Sequence, residues 1–353
     1  MDKLRFFLNQ LYDVDERVAY FKKKKQYSVE IETMISCNLS CDYCYASSLK
    51  KFRPGMKKAV VKKLIDDLSE YGLKEFGWIG GEPLLHKDWH YFMKRVKDKD
   101  AQNVLYTNGL LLTKPTARKV AKLARRVIFH VDSVVPETFR EYQLQKEHYT
   151  KKHQLILQGL DNLLNAGFDP KKVVWTVTID QNSYGDLAKT MDYAINKKKI
   201  AYMNLIPLFS LGRANKTYHK RKPTNKQIKE AFLLRKKIEK KPYLMKLGPG
   251  EYCKQFQLTD FTINWQGNVY PYIDYFKSKG NIHKKNIKDI LNQNADEMAF
   301  TYLVSKDSYK NRIKGKCGTC QYSKYCFGNP TMTYNNIGKL DVSDPYCWLV
   351  NKV

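Results

Sequence analysis

Residues 36–47 read SCNLSCDYCYAS and set Cys37, Cys41 and Cys44 apart by three and then two intervening residues. That loop is too short for a disulfide ladder, and it lacks the fourth ligand and the CxxC knuckle of a common structural zinc site. A second group lies near the C-terminus, with Cys317, Cys320 and Cys326 in CGTCQYSKYC and Cys347 in DPYC, while Cys253 stands alone. Buried structural thiols scatter along a chain, but seven of these eight cysteines fall into two groups. In a reducing compartment such grouping points to metal binding or catalysis rather than to disulfides. Zinc and iron both remain open for the four-cysteine group, because thiolate spacing alone does not separate them.

Three further polar motifs need placing: GGEP at 80–83, TNG at 107–109 and HVDS at 130–133. Each alone would be an ordinary turn or strand end. Stepping along the chain gives them a common position. YSVEIETMI (27–35) reads as a first strand, and further strands are expected at 74–81, 103–109, 126–133, 172–180 and 200–209. Helical patterns alternate with them: 53–72, near 87–98, 115–125, 150–166, 182–198 and 224–241. In the helix expected over 53–72, Pro54 sits in the first turn, Val61, Leu64, Ile65 and Leu68 share a face, and Gly72 marks the stop.

This is an α/β pattern of six units, too few to close an eight-stranded barrel. An open, partial (β/α)6 TIM-like barrel is expected, with its site at the C-terminal strand ends. The thiol loop follows strand one, GGEP strand two, TNG strand three and HVDS strand four, so all four fall on that edge. The rhythm is lost near 246–252, KLGPGEY. The expected organisation is a basic extension at 1–26, the barrel at 27–245, and a loop-rich cysteine domain at 246–353.

The 353 residues include 63 Lys and Arg against 35 Asp and Glu, a net charge of +28. A field of that sign attracts nucleic acid, anionic lipid or an acidic peptide, and it is equally what solvated lysine-rich helix faces produce. No apolar run of about 18 residues could span a membrane. The start, MDKLRFFLNQLYDVDER, lacks a secretory signal's unbroken apolar core, so the cytoplasm is the expected location.

CNLSCDYC matches the CxxxCxΦC signature of the radical S-adenosylmethionine (SAM) superfamily, with Tyr43 at the aromatic position, and GGEP resembles that family's SAM-amino-group motif. The resemblance implies that Cys37, Cys41 and Cys44 hold a 4Fe–4S cluster whose open iron binds SAM. It also implies that reduction of this cluster, by flavodoxin or ferredoxin, yields a 5′-deoxyadenosyl radical. Glu82 with Gly80 and Gly81 would meet the SAM amino group, and Thr107, Asn108 and His130 would line the floor. Arg140 is a candidate for the SAM carboxylate, since arginine pairs bidentately with carboxylates.

The C-terminal group resembles the SPASM extension of peptide-modifying members. Two departures matter. Tyr272 stands where the extension has a cysteine, and Pro330 where a CxxxC would end. The resemblance then implies one auxiliary cluster, on Cys317, Cys320, Cys326 and Cys347. Cys253 matches a ligand of the missing cluster and is either a vestigial buried thiol or a freed thiol that donates a hydrogen atom or binds substrate. Asp274, in YPYIDYF, lies near the position at which sulfatase-maturing members carry a base.

The expected activity is hydrogen abstraction from a residue of a ribosomally made precursor peptide, with an acidic leader, to install a cross-link. With Cys37 so near the start, no leader-binding domain is expected before the barrel. A peptide epimerase using Cys253, an anaerobic formylglycine-forming sulfatase maturase and an RNA-modifying enzyme are the alternatives. The last would put the lysines on phosphates and bind less tightly in salt.

Overall fold

Strand β1 (Ser28–Glu32) is buried at every position, with Val29 and Ile31 wholly so, which suits a strand covered on both faces. The computed structural model describes residues 3–243, 245, 259–272, 277–303, 312–323, 326 and 328–349. The chain divides into two compact units: Glu30–Pro223 with Asn264–Gln266, and Met1–Val29 with Thr224–Ile263 and Gly267–Val353.

In the first unit β2 (Glu75–Ile79), β3 (Gln102–Thr107), β4 (Ala124–His130), β5 (Val173–Ile179) and β6 (Tyr202–Pro207) follow β1 side by side in chain order. From β2 to β6 every neighbouring pair is parallel, in registers such as Gly77↔Val104, His130↔Thr176 and Thr176↔Asn204. A parallel pair needs a crossover, and helices supply it: Lys58–Tyr71, Trp89–Asp98, Lys114–Leu123 and Tyr149–Asn165 lie between successive strands. The six-stranded α/β unit is the partial barrel that the alternating pattern predicts.

One boundary differs. The helix expected from residue 53 starts at Lys58, and Pro54 lies in the loop before it. The cause is a tether to the end of β1, where the Met56 N–H bonds the Thr33 carbonyl at 2.8 Å. Beyond it Val61, Leu64, Ile65 and Leu68 are buried together, and Gly72 ends the helix in the left-handed region at φ 101°.

In the second unit the helix Val14–Lys22 is held by buried Arg17, which donates to the Tyr12 carbonyl at 3.0 Å and to Ser28 Oγ at 2.6 Å and lies over the Tyr27 ring. A capping box of Thr224 and Gln227 starts the helix Asn225–Glu239. Strands β7 (Asp260–Ile263), β8 (Asn268–Tyr270) and β9 (Gly280–Asn281) form an antiparallel meander. Phe21, Ala299, Phe300, Leu303 and Ile313 make an apolar cluster that also contains Cys317 and Cys347, with Tyr272 and Leu340 packed on it. Among the described residues no helix is long and apolar enough to cross a membrane.

Candidate active site

The chain leaves β1 at Glu32 and reaches Cys37 five residues later, so the thiol loop hangs from the C-terminal end of the strand. The loop is closed by the Cys37 N–H on the Leu49 carbonyl at 2.8 Å. The turn after β2 lies directly against it, with the Gly81 N–H on the Met34 carbonyl at 2.8 Å and the Glu82 N–H on the Ser36 carbonyl at 2.9 Å. Glycine is required at this approach: a Cβ on Gly81 would lie 1.9 Å from the Ser36 carbonyl oxygen.

That turn carries Glu82 into a buried position where its carboxylate accepts from Thr107 Oγ1 at 2.9 Å, the Asn108 N–H at 3.0 Å and the Leu84 N–H at 3.3 Å. Burial pushes its carboxyl up to about 7, against the pull of those three donors. A carboxylate so placed gains from an incoming ammonium group. Asn108 Nδ2 in turn donates to Asn38 Oδ1 at 2.8 Å and lies 3.8 Å from Cys37 Sγ. The sequence motifs GGEP and TNG thus meet the thiol loop in one bonded set.

Each thiol has a neighbouring N–H donor: Leu39 at 3.4 Å from Cys37 Sγ, Gln143 Nε2 at 3.4 Å from Cys41 Sγ, and Ser48 at 3.4 Å from Cys44 Sγ. Burial drives the Cys37 and Cys41 thiols up, Cys41 to about 12, and the neighbouring thiols push the same way. Ionisation of Cys37 and Cys41 is therefore favoured by a compensating cation beside them. Among the described residues no three His, Cys, Asp or Glu side chains are close enough together to hold a single ion.

The loop is held from outside by groups that sequence reading missed. Gly212, at φ 58°, brings the segment after β6 so near that a Cβ would lie 2.1 Å from the Tyr45 carbonyl oxygen. Arg213 follows, its Nε donating to the Cys41 carbonyl at 2.7 Å and its Nη1 to the Ser48 carbonyl at 2.6 Å. Arg221 pairs with both Asp42 and buried Asp180, and the Tyr142 hydroxyl donates to Asp180 at 2.7 Å. Gln143 also accepts the Ser40 N–H at 3.1 Å. These residues sit about 100 or more positions from the loop, where no local pattern could reveal the pairing.

The Tyr43 ring lies 5.2 Å from the Tyr142 ring, and its hydroxyl donates to Asp132. His130 Nε2 is 3.2 Å from Asp132 Oδ1 and 3.2 Å from Thr178 Oγ1. Burial raises the Asp132 carboxyl, but His130, the Tyr43 hydroxyl and the Thr178 N–H outweigh it and hold the group below the usual carboxylate range. His130 therefore joins the site through Asp132.

Comparison with known proteins fits this geometry. Residues 31–194 match the Radical SAM superfamily, a stretch that runs from β1 into the last crossover. That stretch of the chain is similar to a radical SAM domain. Over 373 aligned residues it is 24% identical to Fe-coproporphyrin III synthase of Methanosarcina barkeri, covering 94% of this chain and 90% of that protein. Its fold is similar to that of native anSMEcpe with bound AdoMet and Cp18Cys peptide, at 16% identity and a TM-score of 0.66 over 90% of this chain and 93% of that one. It is likewise similar to Streptococcus suis SuiB bound to precursor peptide SuiA, at 14% identity and a TM-score of 0.65 over 94% and 79%.

Radical SAM enzymes use a 4Fe–4S cluster and SAM. The donor set fits: three half-buried thiols with N–H donors, beside a buried carboxylate suited to an amino group. Asn38 Nδ2, buried and without a partner among the described residues, adds a spare donor next to Cys37. Cys37, Cys41 and Cys44 would hold the cluster, and Glu82 the amino group of SAM.

The remaining expected residues are dispersed. Arg140 is exposed on the helix Pro136–Glu141, its guanidinium 5.6 Å from the Tyr149 ring. Cys253 and Asp274 lie outside the described residues. In the second unit Cys317 and Cys347 are buried in one apolar cluster, while Cys320 and Cys326 are half-buried.

Proposed function

We propose that this radical SAM enzyme removes hydrogen from a residue of a ribosomally made peptide and leaves a cross-link. The observation that carries the reading is the second thiol set. Cys317 and Cys347 share an apolar cluster onto which Tyr272 packs, the tyrosine that replaces a ligand of the resembled extension. One auxiliary cluster on Cys317, Cys320, Cys326 and Cys347 is the arrangement these residues support. Closing a new bond takes one hydrogen atom, one proton and one electron from the peptide. SAM held at the first thiol set would supply the hydrogen-atom acceptor, a cluster on the second set would supply the electron acceptor, and the proton would leave to solvent. The +28 charge favours an acidic leader, and the folds of anSMEcpe and SuiB, both solved with peptides, lend support. A reducing cytoplasm suits the seven free cysteines among the described residues.

A second reading rests on a different observation, the match to Fe-coproporphyrin III synthase along nearly the whole of both chains. It would place a tetrapyrrole in the site. One experiment separates the two: reduced, reconstituted enzyme is given SAM with either short peptides encoded beside its gene or a tetrapyrrole precursor of Fe-coproporphyrin III. Peptide-stimulated 5′-deoxyadenosine release is the expected result. Release stimulated by the tetrapyrrole alone would replace the peptide reading.

A further inference from the structure

The two most exposed large apolar side chains among the described residues are Phe52, at 65%, and Leu144, at 61%. Single exposed apolar residues are ordinary on a protein surface. These two share a neighbour. The backbone around Phe52 is tied to the start of the thiol loop: the Cys37 N–H bonds the Leu49 carbonyl at 2.8 Å, and the Arg53 N–H bonds Ser36 Oγ at 2.7 Å. The backbone at Leu144 is tied to its middle, the Leu144 N–H on the Ser40 carbonyl at 3.0 Å and the adjacent Gln143 side chain 3.4 Å from Cys41 Sγ.

Phe52 is flanked by Lys50, Lys51 and Arg53, all exposed. Among the described residues none of these three joins an ion pair, and no Asp or Glu occurs between Tyr45 and Lys58. An apolar centre with a cationic rim is the composition of a small, transient interface that is steered by charge. Its place selects the partner. A surface one hydrogen bond away from a cluster ligand is where an electron has the least protein to cross.

We propose that Lys50, Lys51, Phe52 and Arg53, with Leu144, form the docking surface for an acidic one-electron carrier protein that reduces the cluster on Cys37, Cys41 and Cys44. The donor loses one electron and the cluster gains it, a flavodoxin hydroquinone becoming the semiquinone. This rests on the iron–sulfur reading of the three thiols and is independent of the peptide reading, since reduction is measured without any peptide.

The test compares two reductants on the reconstituted holoenzyme, following the cluster by stopped-flow absorbance and by the electron paramagnetic resonance of its reduced form. For the combined variant Lys50→Glu, Lys51→Glu, Arg53→Glu, reduction by flavodoxin hydroquinone should slow by at least roughly tenfold and lose its salt dependence. Phe52→Ala with Leu144→Ala, which leaves every backbone bond in place, should slow it as well and weaken binding of oxidised flavodoxin. Reduction by dithionite, which needs no docking surface, should be unchanged in both. Normal flavodoxin rates in both variants would overturn the proposal. So would a parallel fall with dithionite in the alanine variant, since the segment would then be serving the cluster itself. Weakened RNA binding with flavodoxin reduction intact would reassign the surface to nucleic acid.

Discussion

The Arg213 guanidinium lies on the thiol loop with its Nε 2.7 Å from the Cys41 carbonyl oxygen, so a residue after the last barrel strand fixes the loop that follows the first. Its Nη1 holds the Ser48 carbonyl beyond Cys44, and the two bonds bracket the loop. Hydrogen bonds to charged groups contribute about 1.5–3 kcal/mol each. Arg213→Met should therefore lower the unfolding free energy by a few kcal/mol and lower iron retention. Arg213→Lys, a point charge without the fork, should recover only part of it. Wild-type iron content and melting temperature in Arg213→Met would show that the loop holds its shape unaided.

The two thiol sets should lose metal separately. Reconstituted wild type is expected to carry about eight irons, two clusters of four. Alanine at Cys37, Cys41 and Cys44 should remove about half of that iron and abolish SAM cleavage. Alanine at Cys317, Cys320, Cys326 and Cys347 should remove the other half and leave SAM cleavage without substrate intact. Zinc recovered from the second set would convert it to a structural site. SAM cleavage surviving the first substitution would end the assignment of the loop.

The barrel was legible because its strands are short β-branched runs and its helices show one apolar face, as Val61, Leu64, Ile65 and Leu68 do. The thiols, GGEP and TNG were legible because each follows its strand directly, and topology puts those ends together. What sequence could not show is contact between distant segments. Arg213, Arg221, Gln143 and Asp180 look like ordinary polar residues until the chain brings them to the loop. The start of the first crossover helix was misplaced for a related reason, since a long-range bond from Met56 to Thr33 overrides the local preference of Pro54 for a first turn.

Buried carboxylates give the cluster-free protein a definite pH dependence. Burial raises both Glu82 and Glu32 to about 7, Glu32 against the opposing Trp265 N–H and Tyr45 hydroxyl. Their folded values lie above the unfolded value of about 4.3, so between those limits the folded state binds more protons. Stability is then greatest in acid relative to these two groups and falls as pH rises through about 7, by roughly 3 kcal/mol for each. Urea midpoints measured from pH 5 to pH 8 should decline in wild type, and each of Glu82→Gln and Glu32→Gln should flatten the decline. A midpoint that rises over this range would mean that the two carboxylates are solvated or already paired.

Cys253 separates the proposed cross-link from its nearest chemical rival. A carbon radical on a peptide can be quenched by a hydrogen atom, or it can lose an electron and a proton as a new bond closes. The first path is an epimerisation and leaves the mass unchanged except for label taken from solvent. The second removes two hydrogens. Quenching needs a thiol that exchanges with water, and Cys253 is the one cysteine outside both cysteine groups. Cross-linking needs an electron acceptor, and the proposed cluster on Cys317, Cys320, Cys326 and Cys347 would supply one. Product mass from the peptide in deuterated water, with Cys253→Ala beside wild type, distinguishes the paths. A loss of two mass units that survives the substitution is the expected outcome. Retained mass plus one deuterium, abolished by Cys253→Ala, would assign the enzyme to epimerisation and the lone thiol to hydrogen return.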